Sequence, residues 1–182
     1  EDSPVTGSHD PNEIAGPAGY GDERWVAATD RLQYRVFFEN IAEALGPAQE
    51  VRVTLPLDGN LDSRTFRLAE FGWGGLVFSV PEDAPIYSER LDLTETHGFC
   101  VDVVAGIDMV NNEAFWILTT VDPATGDQPR DPDIGFLPPN VDGTEGQAFA
   151  TFTIQPQATC ATGASLTAQA TIVFDTNPAI DT

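Results

Sequence analysis

The sequence predicts an all-β protein: an Ig-like antiparallel sandwich of roughly seven to nine short strands with a long loop insertion. Three observations carry this. Apolar residues alternate with period 2 along most of the chain, helix signals are nearly absent, and the 16 Gly and 14 Pro fall mostly between the alternating runs as turn punctuation.

Taken in order, residues 1–24 are rich in Pro, Gly and acid and read as a linker or N-terminal extension; residues 25–182 read as the sandwich domain. The first strand is Leu32, Tyr34, Val36 and Phe38 set against Gln33, Arg35 and Phe37. Ile41 to Leu45 offers one helical turn before Gly46-Pro47 stops it. Alternation returns at Val51 to Leu55, Leu76 to Val80, Phe99 to Ala105 and Leu166 to Phe174. Phe115 to Val121 and Ala148 to Ile154 are further strands, with weaker ones at Thr65 to Phe71 and Tyr87 to Leu93. Residues 122–145 form a long loop, and a loop of that length is expected to be functional or held by something.

The charge is the second informative feature. Against 29 acidic side chains stand 8 basic ones, all arginine, for a net charge of −21. Without lysine there is no Schiff-base or P-loop lysine and no Lys–Asn isopeptide crosslink. Nucleic acid and anionic membranes are repelled by such a surface, and no apolar run is long enough to span a bilayer. Cations, water and salt remain as partners.

The acids that stand out sit in turns with Asn, Gly and Pro. Calcium takes six to eight oxygen ligands and suits such turns at the ends of a sandwich, so it is the expected cofactor. Its candidate ligands are Asp10, Asn12 and Glu13; Glu39; Asp122, Asp127, Asp131 and Asp133 in the long loop; and Asp175 with Asn177 after the last strand. Each of these turns is equally able to satisfy its own backbone. No EF-hand spacing is completed.

Cys100 and Cys160 show no CxxC spacing, which excludes a zinc-ribbon or thioredoxin-like motif. A disulfide between them is the preferred reading, with two separate thiols as the alternative; a bond would imply an oxidising compartment.

An opening Asp-Pro-Asn-Glu (10–13), Leu-x-Tyr-x-Val-x-Phe-Glu-Asn (32–40), Ala-Gln-Glu-Val-x-Val-Thr (48–54), Leu-Asp-x-x-Thr-Phe (61–66) and a closing Ala-x-Ile-Val-Phe-Asp-Thr-Asn-x-x-Ile (170–180) come in a telling order. This order resembles the conserved-repeat, Ig-like module of large secreted and surface proteins of bacteria and archaea. The resemblance implies an Ig-like sandwich among other adhesive or calcium-binding repeats, with no enzymatic activity.

Catalysis finds little material in the residues themselves. His9 lies in the linker, His97 in a turn, and there is no Gly-x-Ser-x-Gly elbow. The expectation is therefore a non-catalytic, calcium-stabilised structural or adhesive module, secreted or at the cell surface. Its expected partners are neighbouring modules or identical subunits. The alternative is a carbohydrate-binding sandwich that stacks sugars on Trp73 and Tyr87, with glycans as partners; Trp116 is expected in the core and Trp25 to pin the linker to the sheet.

Overall fold

A computed structural model describes residues 12–182. The chain is an all-β antiparallel sandwich of two sheets, with eleven strands among the described residues. One sheet has the order β1 (Glu13–Ala15), β2 (Leu32–Glu39), β9 (Gln147–Pro156), β4 (Leu61–Trp73), β5 (Leu76–Ser79). The other runs β11 (Ile180–Asp181), β10 (Thr171–Phe174), β3 (Glu50–Pro56), β8 (Glu113–Val121), β7 (Phe99–Asp108), β6 (Ile86–Leu93). The inward residues of both sheets close on one core around Phe66, Trp116 and Phe152, whose ring centroids lie 5.3 to 6.2 Å apart. Phe38, Val51, Leu55, Ile154 and Ile172 extend it to both ends.

Local sequence accounts for the departures from expectation. β4 is longer than its alternation suggests because its pairing with β9 is irregular between Asp62 and Arg67 and again between Leu68 and Phe71. The second irregularity shifts the inward phase from Phe66 and Leu68 to Phe71 and Trp73, which blurs a period-2 pattern. The helical turn expected at Ile41 to Leu45 is a plain turn; Leu45 is fully exposed, so no apolar face rewards a helix there. The one helix among the described residues is α1 (Thr94–His97), ended by Gly98 at φ 82°, a left-handed position that suits glycine. Residues 13–15, within the stretch read as linker, add an edge strand to β2.

The disulfide is corrected: both cysteines are free thiols. Cys100 sits on β7 opposite Val121, at one end of β8. Cys160 follows β9; its N–H bonds Gln157, whose own N–H bonds Asn60, beside the turn where Leu57 meets Asn112 at the other end of β8. Nine strand residues separate the ends, about 27 Å at strand rise, whereas a disulfide holds its Cβ atoms about 3.8 Å apart.

The long loop is held by protein groups. The Gln49 side-chain amide donates to the carbonyls of Pro129, Asp131 and Ile134 at 3.1, 2.9 and 2.9 Å. Thr120 Oγ1 accepts from Phe136 N–H, and the Asn40 side chain donates to Leu137 O. Phe136 and Leu137 are buried. Gly135 permits this docking, since a Cβ there would fall 2.5 Å from Ala48 O.

Candidate functional site

The acidic turns come first. Asp175, at φ 51°, directs Oδ1 at the N–H groups of Gln49 and Glu50, 2.9 and 2.8 Å away, and so ties the end of β10 to the start of β3. Asp122 Oδ1 accepts from Ala124 N–H and Asp131 Oδ1 from Asp133 N–H. Asp127 bonds back to Asp122 through its carbonyl, Asn177 N–H donates to Phe174 O, and Glu39 accepts from the Gln147 side chain. Glu13 lies on β1 opposite Phe37, and Asn12 is buried beside it. Asp10 lies outside the described residues.

Among the described residues, no three Asp, Glu, His or Cys side chains gather where they could hold a metal ion. Three of the candidate carboxylates, Asp122, Asp131 and Asp175, aim an oxygen at backbone amides and serve their own turns. The same use recurs where the pKa moves. Amides of Asn111 and Val110 hold the Asp108 carboxyl below its ordinary range, and those around Asp142 and Val141 do so for Glu145. At Asp58 partial burial pushes upward, and hydrogen bonds from Asn60 and Thr167 outweigh it, leaving the group lowered.

The aromatic platform is also corrected. Trp73 is only 4% exposed and packs against Phe78 and Phe136 at 4.9 and 5.1 Å, so its ring is core. Gly74 and Gly75, which follow Trp73, both have positive φ and make the tight β4–β5 turn. Tyr87 is half-buried against Phe71, and its hydroxyl donates to Glu89 at 2.6 Å. Burial, then the Glu89 carboxylate, pushes its phenol up to about 12. Trp116 is in the core, as expected.

Two exposed aromatics, Trp25 and Tyr20, 51% and 83% exposed, are joined by a two-way backbone bridge of 2.8 and 3.0 Å. Trp25 forms one wall of a groove of about 900 Å³ on the seam of the sandwich. Ile14 belongs to the edge strand of one sheet, Leu166 and Ala168 precede β10, one strand in from the edge of the other, and Tyr34 and Cys160 also line the groove. Tyr34 stacks on Phe152 at 5.2 Å, and its phenol is raised by burial and by nearby Asp58. Small residues line much of the rest, including Gly16, Gly163 and Ala164. A second, shallower hollow of about 390 Å³ lies between Pro47, Pro132 and Asp175.

The groove escapes a reading by composition because its walls are distant in sequence. One signal points to it: the alternation from Leu166 to Phe174 is longer than the strand that forms, Thr171–Phe174.

Neither a family model nor a curated protein matches the sequence, so the resemblance read from motif order gains no support from either. Among solved structures, domains D2 and D3 of the major pilin SpaD from Corynebacterium diphtheriae are similar at 13% identity and a TM-score of 0.48. The match covers 94% of this chain and 48% of that one, so the chain spans about half the pilin fragment's length. A likeness at that level carries no functional argument.

Proposed function

We propose that the chain is a non-catalytic structural module of a secreted or cell-surface protein, built to stand beside neighbouring modules or subunits. One observation supports this most: the ionisable groups are spent on the scaffold. Asp58, Asp62, Asp92, Asp108, Asp122, Asp131 and Asp175 each accept backbone N–H groups. Arg35 bridges Glu70 and Thr151 across three strands while its guanidinium lies 4.5 Å from the Phe149 ring centroid. Chemistry of this kind fixes loops and strands in place, and the high acid content keeps such a module hydrated and apart from other anionic surfaces.

Antibody labelling of intact producing cells, repeated after external protease, tests the location. Labelling before lysis that the protease removes is the expected result; labelling seen only after lysis overturns the reading.

A further inference from the structure

An antiparallel sheet with one face in water alternates apolar and polar residues, and β8 does not. Its run Ala114-Phe-Trp-Ile-Leu118 is apolar throughout. Ala114, Trp116 and Leu118 enter the core, which leaves Phe115 and Ile117 on the outer face of the six-stranded sheet. Pairing builds a stripe around them. Ile117 stands between Arg52 of β3 and Val104 of β7, with Val173 of β10 beyond Arg52. In the next row Phe115 stands between Thr54 and Gly106, and Ile86 of β6 leans over Gly106, where a Cβ would lie 3.1 Å from its Cγ1. Val104 and Ile86 are 37% and 63% exposed. Apolar residues on both sides of a strand suit a sheet covered on both faces.

The stripe lies inside the sheet, since β8 and β7 are three and four strands in from β11. Residues 1–11 hold one aliphatic side chain besides proline, Val5, which is too little to cover it. The charges beside the stripe cancel: Glu50 pairs with Arg52 at 3.2 Å and Asp102 with Arg90 at 2.6 Å. A chain of charge −21 thus has a neutral apolar face, with the outward acids Asp92, Asp108, Glu113 and Asp181 at its rim.

We propose that a second copy of this chain covers the stripe, packed face to face about a two-fold axis that runs along the strands midway between β8 and β7. Sheets packed in this way keep their strands nearly aligned, and a two-fold contact matches one surface with itself. The axis lays β8 on the second copy's β7 and β3 on its β6. Row by row, Ile117 then meets Val104 of the second copy, Phe115 meets its Gly106 and Ile86, and Glu50 meets its Arg90. Size and charge are complementary in each row. An axis along β8 itself would set Glu50 against Asp102, which is why the axis lies between the strands. The same superposition puts Glu113 against Asp108 at the rim, so association is opposed at low salt and eased by screening. The inference rests on the reading of the chain as a module that meets subunits, and it names the face on which one of them sits.

The test follows sedimentation of the full chain over a concentration series at about 0.1 M and about 1 M sodium chloride. A reversible dimer is expected, about tenfold tighter at the higher salt. Val104→Gln leaves the net charge unchanged and is expected to weaken the dimer about tenfold while the monomer's melting midpoint holds. Glu50→Arg lowers the overall repulsion between copies yet faces Arg90 with a like charge, and is expected to loosen the dimer. Adding Arg90→Glu exchanges the pair, returns the net charge to its original value and is expected to restore association. In a sample mixing two isotope-labelled forms, filtered NOEs are expected between Ile117 of one copy and Val104 of the other. A chain that stays monomeric at millimolar concentration in the higher salt overturns the proposal. So does a dimer indifferent to Val104→Gln, or one that the double exchange fails to restore. NOEs from Ile117 to Val5 within one chain would assign the cover to its own N-terminal residues and overturn it too. Cell-surface labelling reads none of these quantities, so either reading can fail alone.

Discussion

At the scale of single residues, polar side chains here act mainly as substitutes for secondary structure. Gln49 shows this best, because the two hydrogens of its side-chain amide are shared among three loop carbonyls that no strand reaches. Gln49→Ala is expected to destabilise the fold by about 1–3 kcal/mol, the cost of leaving such acceptors poorly satisfied. The check is a melting curve paired with limited proteolysis, in which new cleavage appears within residues 122–137; an unchanged midpoint and digest would refute the stitching role. The carboxylates lead to a related expectation. Asp175 Oδ1 and Asp131 Oδ1 are already engaged by amides, so calcium is expected to raise the midpoint no more than magnesium at equal ionic strength. A shift specific to calcium would show that these oxygens exchange amides for a cation. Tyr87 gives a third test. Its phenol is pushed up to about 12, so the proton retained on folding stabilises the protein fully below pH ~10, the unfolded value, and that contribution is lost as pH rises toward 12. Phenolate absorbance should show one late-titrating tyrosine that Glu89→Gln brings lower, though not to the ordinary value, because burial remains.

At the scale of elements, legibility in sequence followed the regularity of pairing. β2 and β8 are paired residue for residue along their length and half-buried, so their alternation is clean. β4 carries two irregularities and β6 is an exposed edge, and both read weakly for those reasons. The segment from Leu166 reads as one strand because its side chains do alternate; what the sequence does not display is that Pro56 and Leu57 remove the partner. Candidate ligands were legible as turn formers, but whether a turn acid faces a cation or an amide is decided by strands far away, as when Asp175 meets Gln49. Cysteine pairing failed for the same reason, since alternation places Cys100 in a strand without fixing the end of the sandwich at which Cys160 emerges. Thiol titration checks this. Native protein should react at Cys160 first, Cys100 should respond only on unfolding, and the total should be two thiols per chain. No reaction before a reductant is added would restore the bridge.

At the scale of the whole molecule, the charge imbalance outweighs anything a single contact can offset. Arg31, Arg35, Arg52, Arg64, Arg67 and Arg90 each come within 4.0 Å of a carboxylate, yet 29 acids face only 8 bases in all. Mutual repulsion among exposed acids falls as salt shortens the Debye length from about 10 Å at 0.1 M to about 3 Å at 1 M. The melting midpoint is therefore expected to rise with sodium chloride over that range, whereas a protein resting on its surface ion pairs would lose stability. Acid acts with the opposite sign through a distinct set of groups. The carboxyls of Asp58, Asp62, Asp92, Asp102, Asp108 and Glu145 are all held below their ordinary values by hydrogen bonds or an arginine partner. A lowered folded-state pKa gives stability that is present above the unfolded value, near pH ~4, and lost as pH falls through the folded one. Melting followed downward from neutral pH should therefore drop steeply only below about pH 4, and high salt should raise the neutral plateau far more than it shifts that acid limb, because hydrogen bonds to turn amides are short-range and screen weakly. A midpoint that falls with salt at neutral pH would contradict the repulsion argument, and one still rising below pH ~3 would contradict the role assigned to the turn carboxylates.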